Sequence, residues 1–201
     1  MYRDGRRKNF YDGKSHMQLE PDLALCRPEL AATRLAHFNL PNWARRLLPI
    51  AKELGVTVAC DLQDVVTLRD GYREDFIEHA DIVFFSAVNQ AGPAPLIGEL
   101  LDWKPDLIVV SGMGARGCAL GTREGIRYFD PVSMDAPVID TNGAGDALAV
   151  GFLSSYVLGG CPLEQAIRRG QISARHTCTQ KASSSHLITP ELLAGDARAA
   201  R

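Results

Sequence analysis

Nothing in this 201-residue chain suggests crosslinks, a membrane or a polyanion. Its five cysteines, Cys26, Cys60, Cys118, Cys161 and Cys178, form no CxxC pair. Their odd number argues against a closed disulfide framework, so reduced thiols are expected. A net charge of −2 offers no field for a nucleic acid backbone, and the basic clusters Arg6 to Lys8 and Arg168 and Arg169 are too short to create one. No apolar run reaches the length of a membrane span, and charged residues soon follow Met1 where a signal peptide would have an apolar core. The expectation is a cytoplasmic protein with no nucleic-acid or membrane partner. His16, His37, His79, His176 and His186 stand far apart, none at metal-ligand or triad spacing, and read as ordinary surface or core histidines. No internal repeat is present.

What the chain does have is a glycine-rich turn closed by a carboxylate: Asp140, Thr141, Asn142, Gly143, Ala144, Gly145 and Asp146. Ala136 to Ile139 before it read as a short apolar strand, and Ala147 to Leu158 after it read as a helix. The turn therefore falls at a helix N-terminus, where unpaired N–H groups and a positive macrodipole attract anions such as phosphate. Asp146 adds a group that can take a proton, which an alcohol must lose when it attacks a phosphoryl group. This pattern assigns Asp146 as general base. The amides of Gly143, Ala144, Gly145 and Asp146 form an anion hole for the transferring phosphoryl oxygens. A helix cap would need only one of these seven residues.

Alternating β-branched runs and amphipathic stretches predict strands and crossover helices around a mainly parallel sheet, in one domain over 1–194 with a frayed tail over 195–201. Strands are expected at Leu35–Phe38, Val56–Cys60, Ile82–Phe85 and Leu107–Ser111, and helices at Trp43–Leu54, Tyr72–His79, Pro93–Asp102 and Leu163–Thr179. Cys118–Gly121 and Ile126–Phe129, joined by Thr122 to Gly125, predict an antiparallel hairpin. Loops at the carboxyl ends of parallel strands are where such sheets bind ligands. Three here carry polar or glycine residues: Asp61 and Gln63, Ser86 and Asn89, and Ser111 to Gly117.

Asp140 to Asp146 matches in full the D-T-x-G-A-G-D signature and resembles the PfkB, or ribokinase-like, family of sugar and nucleoside kinases. The resemblance implies a ribokinase-like α/β fold, with the hairpin as a flap on the nucleotide side. It also implies ATP-dependent phosphorylation of a hydroxyl on a small sugar or nucleoside, with Mg2+ as cofactor and a monovalent cation such as K+ beside Asp140. Gly112, Gly114 and Gly117 resemble the family's T-x-G-x-x-G nucleotide loop, with Gly112 in place of Thr. The family's N-x-x-E pattern would fall on Ser86 to Asn89, where neither end matches, so a carboxylate associated with magnesium is replaced by Asn89. Asp4 to Arg7, with Phe10 and Tyr11, resemble a D-G-x-R turn from the middle of the family's fold. The N-terminal part that supplies most of the sugar pocket is then missing, and a homo-oligomer is expected to cover the exposed sheet. The alternative function is a catalytically silent nucleotide-binding or interaction module. A dinucleotide-binding oxidoreductase is disfavoured, because Gly143-Ala144-Gly145 lacks the third glycine of G-x-G-x-x-G and no acidic strand end follows.

Overall fold

The computed structural model describes residues 17–65, 67–68, 71–181 and 186–199, with side chains as far as residue 194. The D-G-x-R resemblance at Asp4 to Arg7 lies outside these residues. After helical Met17 and Gln18, helix α1 (Leu23–Ala31) is capped by Asp22, whose carboxylate accepts from the amides of Ala24 and Leu25 at 3.0 and 3.3 Å. Then follow β1 (Leu35–Phe38), a 3-10 turn over Asn42–Arg46, α2 (Leu48–Glu53), β2 (Thr57–Asp64), α3 (Glu74–His79), β3 (Ile82–Ser86), α4 (Ala94–Trp103) and β4 (Ile108–Gly112). The hairpin strands are β5 (Cys118–Thr122) and β6 (Gly125–Phe129). Helices α5 (Ala144–Leu153), α6 (Leu163–Cys178) and α7 (Pro190–Ala199) close the chain.

Among the described residues the strands form one sheet in the order β1-β2-β3-β4-β5-β6, parallel from β1 to β4 and antiparallel thereafter. Consecutive parallel neighbours joined by right-handed crossovers must place their connecting helices on the same face. The core bears this out. Leu48 and Ala51 of α2, Phe76 and Ile77 of α3, and Ile97 and Leu100 of α4 cluster with Val58, Cys60, Val83, Phe85 and Val109. The alternate side chains, Ala59, Ile82, Phe84 and Val110, point to the other face and pack against α5 and α6. There Phe152 is fully buried between Phe84 and Tyr156, with ring centroids 5.7 and 5.5 Å away.

Helices α5 and α6 touch backbone to backbone. A Cβ on Gly151 would lie 3.0 Å from the Gly170 Cα, and one on Gly170 would lie 2.7 Å from the Leu148 carbonyl oxygen. This close crossing fixes the height at which the N-terminus of α5 stands above the sheet, and so fixes the signature turn.

Three expected elements differ. The helix expected over Trp43–Leu54 is two pieces that meet at Leu47, because Pro49 in the first turn of α2 has no N–H to continue a ladder. The segment Ala136–Ile139 starts in a bend and joins no strand: Pro137 lacks a donor, Val138 and Ile139 are exposed, and the amides of Ile139 and Asp140 donate to the Cys178 carbonyl at 2.7 and 3.3 Å. The helix expected from Ala147 instead begins at Ala144, inside the signature, and passes at Ser154–Leu158 into a π-helical turn. All five cysteines are free, and burial pushes the Cys60 and Cys118 thiols up to about 12.

Candidate active site

The carboxyl ends of β2, β3 and β4 and the N-terminus of α5 converge on one end of the sheet. Gly143 initiates α5 at φ +74°, a left-handed conformation that residues with a Cβ adopt at a cost. Its carbonyl accepts the first helical bond, from Ala147 at 2.9 Å. The Ala144 amide turns back to the Thr141 carbonyl at 3.3 Å, whereas those of Gly143, Gly145 and Asp146 have no acceptor among the described residues. Asp146 is exposed in the first turn of α5. Asp140 shapes the start of the turn, its Oδ1 accepting from the Asn142 amide at 3.0 Å. The turn is also pinned from below, since the Cys178 carbonyl that receives the Ile139 and Asp140 amides is that of the last residue of α6.

The Gly112 to Gly117 loop lies against the first turns of α5. A Cβ on Gly112 would sit 3.6 Å from Leu148 Cδ2, one turn into α5. Gly114 and Gly117 take φ of +61° and +86° around a short 3-10 turn at Gly114–Arg116, and Met113 N–H closes it on the Gly117 carbonyl at 2.9 Å. Its other flank is the loop after β3. Ala87 N–H donates to the Gly112 carbonyl at 2.8 Å, and Val88 Cγ2 lies 3.4 Å from where a Gly114 Cβ would be. Ser86 Oγ accepts from the Val88 amide at 3.5 Å, and Asn89 is exposed. The structure thus brings together the signature turn, the Gly112 to Gly117 loop and the Ser86 to Asn89 loop.

It brings in Asp61, which the sequence named as part of a candidate ligand loop, and His37, which the sequence read as an ordinary histidine. Asp61 pairs in register with Phe84 and shares the α5 face with Ala59, two residues earlier on β2. Burial, reinforced by the negative charges of Asp146 and Asp64, pushes its carboxyl from the ordinary 3.8 up to about 6, although the Gln63 amide donates to it at 2.8 Å. That bond closes a tight turn in which Gln63 takes φ +59°, and the β2 to β3 register slips between Asp61 and Asp64. His37 stands on β1 opposite Ala59, 5.8 Å from the Phe84 ring, and its Nε2 is buried without a hydrogen-bond partner among the described residues. Burial lowers its pKa, partly countered by Asp146. Spacing in the sequence could not connect three residues from β1, β2 and α5. The one available signal was the position of Asp61 at the carboxyl end of a predicted strand.

A mainly parallel sheet with an antiparallel hairpin at one side, and glycine turns and an exposed carboxylate gathered at one end, is the architecture of the ribokinase-like fold. Comparison with known proteins agrees. The model of the pfkB family carbohydrate kinases matches residues 77–190, and the chain belongs to that family. It is 32% identical over 188 residues to an acarbose 7(IV)-phosphotransferase of Actinoplanes sp., covering 92% of this chain and 62% of that protein. Among solved structures it resembles a microbiome-derived acarbose kinase, with a TM-score of 0.86, 28% identity, and coverage of 98% of this chain and 66% of the other. It also shares the fold of an Arabidopsis thaliana ribokinase complexed with ribose and ATP, with a TM-score of 0.74, 16% identity, and coverage of 89% and 61%. The chain spans a little under two thirds of the length of these relatives.

Proposed function

We propose that this chain carries the nucleotide-binding and base-bearing part of a kinase that transfers the γ-phosphoryl group of ATP to a carbohydrate hydroxyl. The observation that carries the reading is Asp146 in the first turn of α5, beside amides of Gly143, Gly145 and Asp146 that have no acceptor among the described residues. Those amides, with the helix dipole behind them, stabilise negative charge on the phosphoryl oxygens. The Asp146 carboxylate takes the proton of the attacking hydroxyl. Gly112, Gly114 and Gly117 let the backbone approach the nucleotide phosphates; Mg2+ would be held mainly through those phosphates and water and would neutralise their charge. Asn89 offers only a neutral oxygen where a carboxylate would strengthen that shell.

The acceptor is a sugar in this reading, supported by two relatives named for acarbose phosphorylation. ATP as donor places the protein in the cytoplasm; no helix among the described residues is long and apolar enough to cross a membrane. The test is phosphate transfer from ATP to a panel of mono- and oligosaccharides. Asp146→Asn should lower turnover by roughly 10²–10⁴-fold while nucleotide binding persists. Undiminished turnover in that variant would remove Asp146 from its role. The second reading, a module that binds nucleotide without transfer, draws on Ser86 and Asn89, and ATP binding without transfer to any sugar in the panel selects it.

A further inference from the structure

A guanidinium inside a glycine-rich nucleotide loop invites assignment as a phosphate ligand, yet the geometry commits Arg116 elsewhere. Its Nη1 donates to the Ala91 carbonyl at 3.1 Å, and its Nη2 donates to the carbonyls of Ala87 and Gln90 at 3.0 and 3.1 Å. All three acceptors belong to the loop between β3 and α4, so one planar fork spans the gap between two loops that meet at the site.

We propose that Arg116 is a positioning residue. It clamps the Gly112 to Gly117 turn to the Ser86 to Ala91 loop, so that both meet the nucleotide as one preformed surface. The proposal rests on the kinase reading for its consequence, and on the structure alone for the clamp. Backbone bonds hold the turn within itself, Met113 N–H to the Gly117 carbonyl at 2.9 Å and Gly117 N–H to the Gly114 carbonyl at 3.1 Å, and join its base to the other loop through Ala87 N–H to the Gly112 carbonyl at 2.8 Å. The tip of the turn, Gly114 to Arg116, is exposed. Gly114 in this tip and Gly117 just after it occupy positive φ, which leaves little intrinsic preference for this conformation over others. Three hydrogen bonds from a cation to backbone carbonyls, one of them the buried Ala87 carbonyl that also accepts from the Gln90 amide at 3.1 Å, tie the tip of the turn to the other loop. A preordered loop loses less entropy on binding, so the clamp acts on nucleotide affinity without touching the nucleotide. A lysine cannot reproduce it, because a single ammonium lacks the planar fork that reaches three carbonyls.

Arg116→Ala and Arg116→Lys test this, read by calorimetric titration with Mg-ATP and by amide hydrogen exchange at Gln90 and Gly117. Loss of the clamp should weaken Mg-ATP binding about 10-fold in the alanine variant and about 3-fold in the lysine variant. Guanidinium ion at sub-denaturing concentration should restore part of the alanine variant's affinity, which a general structural role would not produce. Exchange at Gln90 and Gly117 should accelerate while β4 and α5 keep their protection. Wild-type affinity in Arg116→Ala, unchanged exchange in the two loops, or protection lost across the whole sheet would each overturn the proposal. If the wild-type chain binds no Mg-ATP, the kinase reading falls by itself, and the exchange at Gln90 and Gly117 still decides for or against the clamp.

Discussion

Two glycines in the candidate site look interchangeable in the sequence and should behave oppositely when each is changed to alanine. Gly117 takes φ +86° and ψ −135°, and a Cβ there would stand 2.1 Å from the Phe129 carbonyl oxygen and 2.9 Å from Pro131 N. The backbone conformation alone costs an alanine about 1–3 kcal/mol. Relieving the overlap means moving the chain after β6, whose carbonyls at Phe129 and Asp130 accept from Gln171 Nε2 at 3.3 and 3.0 Å. Overpacking of this kind adds about 1–3 kcal/mol. Gly117→Ala should therefore lose roughly 2–6 kcal/mol, which for a chain of this size lowers the melting temperature by about 10 °C. Gly145 lies within α5, and a Cβ added there would meet no atom beyond its own helical turn within 4 Å. Alanine there gains up to ~1 kcal/mol of helix propensity, so Gly145→Ala should melt at or slightly above the wild-type temperature. Its cost should appear only in ATP affinity, where the new methyl group stands on the surface proposed to receive phosphate. Thermal melts by circular dichroism, paired with Mg-ATP titration, read both. A Gly117→Ala protein melting within about 2 °C of wild type, or a Gly145→Ala protein melting about 5 °C lower, would refute the reasoning.

Two further outcomes follow from charge and from the sheet edge. Because the folded state raises the Asp61 pKa from 3.8 to about 6, ionising this carboxylate penalises folding. The penalty is absent below pH 3.8, grows as pH rises to about 6 and is constant above it. Two pKa units correspond to about 3 kcal/mol, which partial access of water at the cleft reduces to about 1–2 kcal/mol. Asp61→Asn should thus be more stable than wild type by that amount at pH 7.5 in urea titrations and indistinguishable near pH 4; an equal difference at both pH values would refute the assignment. At the other side of the sheet, β1 is an edge strand among the described residues and Leu23 and Leu25 of α1 are exposed. Pairing with a second copy would cover such an edge, so sedimentation should show a dimer or larger species, and a concentration-independent monomer would overturn that expectation.

The strands from Leu35 to Phe129 fall within a few residues of their predicted limits, since each is a short run rich in aliphatic, β-branched or aromatic residues set between turn and helix signals. The signature turn was equally legible, because its glycines and its terminal carboxylate are local and contiguous. What was not legible depended on partners distant in the chain. Ala136–Ile139 is apolar enough to be a strand, but its hydrogen bonds go to the end of α6, and the Arg175 guanidinium holds the carbonyls of Met134 and Ala136. Helix α1 was not anticipated at all; its apolar residues are mostly exposed, so no periodic stripe marks it.

The sequence by itself determined that the protein has a parallel α/β sheet, a hairpin and a carboxylate-bearing glycine turn, because each is written in residues adjacent along the chain. Tertiary structure alone decided that His37, Asp61 and Asp146 share one electrostatic environment and that Arg116 faces backbone carbonyls. Side-chain periodicity says which face of a strand a residue occupies; only the packing of α5 on the sheet says which other charges it meets there.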